Sequence, residues 1–135
     1  MDKPHKKLDV WNMAMDLILT IYQASESFPK EERFGLTNQM RRAALSVPSN
    51  IAEGAARQTR KEFMNYLHMA QGSLSELDTQ LEVAKRLGYL AEEAWTKLDG
   101  HLDRIDKMLS GLIHHQRRHK ALGGKRDPSR LTPDA

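Results

Sequence analysis

The chain has no cysteine. Disulfide staples and thiolate metal sites are therefore excluded, which suits a cytoplasmic protein. It has no apolar run as long as a membrane span, so no membrane partner is expected. The basic start Met1-Asp2-Lys3-Pro4-His5-Lys6-Lys7 is followed by a stretch broken by Asp9, Asn12 and Asp16. That stretch lacks a small-residue cleavage site and does not read as a signal peptide. Strand alternation, hairpin signals and internal repeats are also missing. With 135 residues, one domain can bury a core unaided.

The residue sets that chemistry needs are missing too. A di-iron bundle requires Glu-x-x-His on two helices. Three residues before His68, His101, His114 and His115 stand Asn65, Leu98, Gly111 and Leu112. His101 with Asp99, Asp103 or Asp106 reads as a solvated face. Gly123-Gly124-Lys125-Arg126 lacks the strand and helix of a phosphate loop, and there is no nucleophile elbow. No metal, cofactor or catalytic residue is expected, and the chain reads as a non-enzyme.

What is present is helical periodicity. The first helix spans about Val10 to Ser27, with Asp9 as its expected N-cap. Its polar strip, Asn12, Asp16, Thr20 and Gln23, is narrow. A surface helix of a monomeric bundle shows a wider polar face, so a subunit contact through residues such as Trp11 is expected. Phe28-Pro29 ends the helix, and Phe34 and Leu36 are expected to anchor the connection that follows.

The second helix, from about Leu36 to Ala56, carries the apolar row Leu36, Met40, Ala44, Val47, Ile51 and Ala55. Thr37 is a possible N-cap. Pro48 interrupts this helix, depriving the Ala44 carbonyl of its partner and predicting a kink held by packing. Small residues around Pro48 (Ala43, Ala44, Ser46, Ser49, Ala52, Gly54, Ala55) allow another helix to approach closely. A polar row runs beside them: Arg42, Ser46, Asn50, Glu53, with Ser73, Glu76 and Gln80 as possible partners on the third helix. Ser46 has no histidine placed as its base. The row reads as groups that satisfy one another and the Ala44 carbonyl at a helix–helix or subunit contact.

Thr59-Arg60-Lys61-Glu62 is a capping box that opens the third helix. Its row Phe63, Leu67, Ala70, Leu74, Leu77, Leu81, Ala84 alternates fours and threes, as left-handed helix packing requires. Gly88 is the expected C′ cap. The fourth helix runs from about Ala91 to His115 on Ala94, Trp95, Leu98, Leu102, Ile105, Leu109 and Leu112. The expected fold is all-α: an antiparallel up-down-up-down four-helix bundle over residues 1–119, then a basic disordered tail over 120–135.

Residues 1–113 hold 15 Lys and Arg against 16 Asp and Glu; residues 114–135 hold six against two. The basic surplus sits in the tail and suits an anionic partner. The candidate nucleic-acid contacts are Arg41, Arg42, Arg57, Arg60, Lys61, Arg117, Arg118, Lys120, Lys125 and Arg126. No aromatic residues interleave with them, so backbone contact without base readout is expected. Trp11, Ser46, Pro48, Asn50 and Glu53 are the candidate oligomer or helix contacts. RNA or DNA, a nucleic-acid-handling protein and other copies of the chain are the expected partners. The other reading is a self-assembling scaffold for a protein partner.

Several blocks resemble one family closely: Leu8-Asp9-Val10-Trp11, Phe28-Pro29, Glu32-Arg33-Phe34-Gly35-Leu36, Gln39-Met40-Arg41-Arg42-Ala43, Ser46-Val47-Pro48-Ser49-Asn50-Ile51-Ala52-Glu53-Gly54 and Phe63-Met64-Asn65-Tyr66-Leu67. It is the bacterial four-helix-bundle family encoded in intervening sequences of 23S ribosomal RNA genes, also called S23 ribosomal proteins. The resemblance covers about residues 5–115. It implies an antiparallel bundle that assembles as a homopentamer, in a family for which no catalytic activity is established. Related accessory proteins of diversity-generating retroelements bind nucleic acid and a reverse transcriptase through a basic ring surface. The nearly neutral helical body of this chain departs from that picture and shifts weight to Arg41, Arg42, Arg57, Arg60, Lys61 and the tail.

Overall fold

A computed structural model describes residues 1–121. Their elements are a 3-10 turn Pro4–Lys7, α1 (Asp9–Ser25), a 3-10 turn Lys30–Glu32, α2 (Leu36–Ala55), α3 (Arg60–Arg86) and α4 (Glu92–Ala121). No strand occurs among the described residues. The contacting pairs are α1 with α2, α2 with α3, α3 with α4, and α1 with α4. Helices adjacent in sequence are therefore adjacent in space, and the first closes against the last. This is the expected up-down-up-down bundle.

The core follows the sequence rows. Every member of the α3 row from Phe63 to Ala84 is buried, as are Met40, Ala44, Val47, Ile51 and Ala55 of α2 and Leu98, Leu102, Ile105, Leu109 and Leu112 of α4. Burial of one stripe per helix is what holds such a bundle together. The α3–α4 turn is a Schellman motif. Gly88 takes φ +78°, its N–H donates to the Lys85 carbonyl at 3.0 Å, and Tyr89 N–H donates to Ala84 at 2.9 Å.

The start of α3 is the expected cap in modified form. Glu62 N–H donates to Thr59 Oγ1 at 3.1 Å, while the Thr59 hydroxyl itself donates to Glu62 Oε1 at 2.9 Å. Asp9 does not cap α1: it lies inside the helix, and Leu8 holds the extended cap position with its side chain buried. Apolar anchoring at the entry outweighs the polar cap there. Thr37 likewise lies inside α2, buried, and Gly35 precedes the helix. The N-terminus of α2 instead receives Glu32, whose Oε1 accepts from Leu36 N–H at 3.4 Å.

α2 runs unbroken through Pro48. The neighbouring side chains back-bond one turn earlier: Ser49 Oγ donates to the Leu45 carbonyl at 2.9 Å and Asn50 Nδ2 to the Ser46 carbonyl at 2.9 Å. Neither serves the Ala44 carbonyl, contrary to the expectation. Phe34 does not anchor its connection either. It is 87% exposed, beneath the Arg33 guanidinium at 5.6 Å. Phe28 does the anchoring, buried and tilted against Tyr89 at 5.5 Å. Finally, α4 continues past His115 to Ala121. The rest of the expected tail lies outside the described residues.

Candidate nucleic-acid interface

The α2–α3 crossing is close at Gly54. A Cβ on Gly54 would lie 2.8 Å from Tyr66 Cβ and 2.9 Å from Phe63 Cδ1, so only glycine permits that approach. Beside it runs the polar row. Asn50 Nδ2 donates to Ser46 Oγ at 3.0 Å, the Ser46 and Ser73 hydroxyls meet at 2.7 Å, and Ser73 Oγ donates to the Met69 carbonyl at 3.2 Å. This sets a direction: Ser46 donates to Ser73. Both hydroxyl protons are committed and no base adjoins them, so the row works as a polar seam between helices. Gln80 joins Glu76 at 3.4 Å along the same helix. Glu53 is exposed and pairs with Arg57 at 3.5 Å.

A second groove lies between α1 and α2. It is lined by His5, Trp11, Met15, Ile18, Leu45, Pro48, Ser49 and Ala52. Pro48 is buried at its floor, while Met15, Leu19, Tyr22 and Leu45 are exposed around it. Most of this face is apolar, and it includes the outer side of α1 that the sequence marks for a subunit contact.

The basic candidates divide by position. Arg41 is tied to the C-terminal end of α1: its Nε donates to Ser25 Oγ at 3.0 Å, its Nη2 to the Tyr22 carbonyl at 3.3 Å, and its guanidinium stacks over the Tyr22 ring at 4.3 Å. Such a group holds two helices together. Arg42 is exposed, on a polar groove with Phe34, Gln39, Ser46 and Glu76. Arg57 donates to Tyr66 Oη at 2.6 Å and stacks on that ring.

Arg60 corrects the sequence reading most clearly. It is 6% exposed, and its Nη1 donates to Gln116 Oε1 at 2.8 Å inside the α3–α4 contact. The extra turns of α4 cover it, so it offers no phosphate contact. Lys61, Arg117 and Arg118 are exposed. Lys120 lies in the last turn of α4, and Lys125 and Arg126 lie outside the described residues.

The topology gathers what the sequence scatters. The start of α1, the end of α2, the start of α3 and the end of α4 all lie at one end of the bundle, as the Arg60–Gln116 bond and the place of His5 beside Ala52 require. At this end residues 1–9, 53–62 and 114–118 contribute eight Lys and Arg against four Asp and Glu. Two of the four carboxylates, Glu53 and Glu62, are engaged by Arg57 and Thr59. Residues 10–52 and 63–113 hold nine against twelve. The near-neutral body is therefore polarised, with one basic end. The sequence reading missed Lys3, Lys6 and Lys7, which are exposed, the first just before and the other two on the first 3-10 turn. Antiparallel topology was the signal that could have found them.

His101 is turned toward α1, its Nε2 3.2 Å from the Met13 carbonyl. Among the described residues no cluster of three or more histidines and carboxylates could hold a metal. Asp78, Asp99, Asp103 and Asp106 line a shallow acidic groove between α3 and α4. Burial, followed by Lys6 and Lys3, lowers the pKa of His5. Burial, and then the Glu32 carboxylate to which Tyr89 donates at 3.1 Å, raises the pKa of Tyr89. No described helix is long and apolar enough to cross a membrane.

Comparison with known proteins agrees with this architecture. Residues 6–111 match the model of a family described as 23S rRNA-intervening sequence protein. The chain is similar to the crystal structure of a protein with unknown function from the S23 ribosomal protein family, from Bacteroides thetaiotaomicron VPI-5482. The TM-score is 0.72 and the identity 25%, over 77% of this chain and 97% of that one. No curated protein matches the chain.

Proposed function

The chain belongs to the 23S rRNA-intervening sequence protein family, and from that starting point we propose that it is a non-enzymatic, cytoplasmic helical bundle that binds the backbone of RNA or DNA through its basic end. The observation that carries this reading is the sorting of charge, eight basic residues against four acidic ones at one end and a net acidic remainder. Exposed Lys61, Arg117 and Arg118 are its centre. Phosphate contact without base readout gives binding that is insensitive to sequence and steeply dependent on salt. Filter binding of unrelated RNA and DNA oligonucleotides over a salt series tests it. The expected result is similar affinity across sequences and a linear fall of log K with log salt. Affinity that is flat with salt, or no binding, overturns it.

A second reading, a self-assembling scaffold for a protein partner such as a nucleic-acid-handling enzyme, has its own support. Met15, Leu19, Tyr22 and Leu45 are exposed on an apolar face that a second copy would cover, and the expected assembly is a homopentamer. Assembly would multiply the basic ends and strengthen weak contacts through multivalency. Light scattering tests it, and a 15.4 kDa particle would remove self-assembly.

A further inference from the structure

We propose that the N-terminal 3-10 turn is a fixed phosphate-contacting arm, in which Lys3, Lys6 and Lys7 bear on the backbone of an extended nucleic-acid strand. This rests on the nucleic-acid reading above and extends it to a segment on the opposite flank of the basic end. Flexible basic tails lose ordering entropy when they bind. This arm is already ordered. Leu8 is buried beside it, Asn12 Nδ2 donates to the Lys6 and Leu8 carbonyls at 3.2 and 3.1 Å, and the His5 ring meets Trp11 edge-on at 4.9 Å. Pro4 fixes the first turn position.

The turn divides its residues by polarity. His5 and Leu8 face the protein, whereas Lys3, Lys6 and Lys7 are exposed. Covering the α1–α2 groove requires only the inward side, so Lys3 and Lys7 are left for something outside, and Lys6, whose Nζ donates to the Met1 carbonyl at 2.6 Å, can exchange that exposed bond for a phosphate. They lie on the α1–α2 flank, whereas Lys61, Arg117 and Arg118 belong to the α3–α4 flank. Two packed helices set these flanks roughly 10 Å or more apart. A ligand that engages both must carry phosphates at successive positions, which fits a strand and not a mononucleotide.

His5 supplies an internal reporter. The charged groups bearing on its ring are Lys6 and Lys3. The α1 and α2 residues that line the groove with it, Trp11, Met15, Ile18, Leu45, Pro48, Ser49 and Ala52, do not titrate. Phosphates that neutralise the lysines would relieve their repulsion, so loading the arm raises the pKa of His5.

The test uses the full chain and two triple variants, Lys3→Gln/Lys6→Gln/Lys7→Gln and Lys61→Gln/Arg117→Gln/Arg118→Gln, each titrated with a labelled single-stranded oligonucleotide over a salt series. Loss of the arm lysines is expected to lower the log–log salt slope by about 2, at about 0.7 to 0.9 per phosphate contact. The His5 ring signal is expected to titrate at higher pH when the parent is saturated. An unchanged slope in the arm variant, alongside weakened binding in the other variant, overturns the arm and leaves the interface standing. No binding by the parent overturns the interface and the arm together. An unmoved His5 titration in the saturated parent also overturns the arm.

Discussion

Gly54 and Tyr66 touch across α2 and α3 so closely that a Cβ on Gly54 would stand 2.8 Å from Tyr66 Cβ. That contact fixes where α2 crosses α3. It also places Arg57, one turn further on, against the Tyr66 ring. A small residue in the sequence thereby sets the geometry of one corner of the basic end.

Gly54→Ala is accordingly expected to destabilise. Overpacking costs about 1–3 kcal/mol, against a helix-propensity gain of up to about 1 kcal/mol. Gly100→Ala and Gly111→Ala, whose added Cβ would meet nothing within 4 Å, are expected to stabilise by up to about 1 kcal/mol each. Thermal melts of the three variants compare the signs. A stabilised Gly54→Ala would contradict the close crossing.

Thr59→Ala removes the acceptor for Glu62 N–H and is expected to cost about 1 kcal/mol. Urea denaturation measures it. Thr59→Ser keeps the acceptor and should remain within a few tenths of a kcal/mol of the parent.

Asn50→Leu leaves the Ser46–Ser73 pair without its third donor and puts an apolar group on a polar seam. Stability is expected to fall by about 1 kcal/mol, without any chemical step to lose. Glu53→Leu, at an exposed position, should change the melting temperature little unless another copy covers it. Light scattering of both variants beside the melts separates a helix seam from a subunit contact.

Leu19→Glu addresses the exposed face of α1. In a monomer a change at a residue 62% exposed costs within about 0.5 kcal/mol. If a second copy covers that face, the variant dissociates. Sedimentation of parent and variant at matched concentration distinguishes the two results.

The pH dependence carries a defined sign. His5 has a lowered pKa in the fold, so the unfolded chain takes up its proton first. Its contribution to stability is complete above about pH 6.5 and is lost as the pH falls through the lower folded value. The difference in melting temperature between the parent and His5→Gln is expected to shrink or reverse on acidification. A difference that grows below about pH 6.5 would contradict the placement of His5 beside Lys6 and Lys3.

Much of the fold was legible because the α3 row keeps an unbroken three–four rhythm and Gly88 sits where a helix must end. The errors have local causes. Phe34 reads as an anchor because large apolar residues are mostly buried, yet no element packs over it. Arg60 reads as surface because it opens a helix and carries charge. Its covering depends on α4 continuing to Gln116, the next step after Leu109 and Leu112 in the same row, and the polar residues there disguise that row. The candidate interface was only half legible. Its charges are separated by up to about a hundred positions in the chain, and only antiparallel packing brings Lys6 and Lys7 to the end that holds Lys61 and Arg117.

Reversing charge at the basic end and, separately, away from it bears most directly on the nucleic-acid reading. Lys61→Glu/Arg117→Glu/Arg118→Glu at the basic end is compared with Lys85→Glu/Lys97→Glu/Lys107→Glu elsewhere, both checked for the parent's helical content. The two variants change net charge equally. Binding to an oligonucleotide at low salt is expected to be lost in the first and largely retained in the second. Equal loss in both would mean that net charge alone governs binding, and would contradict a nucleic-acid surface localised at one end of the bundle.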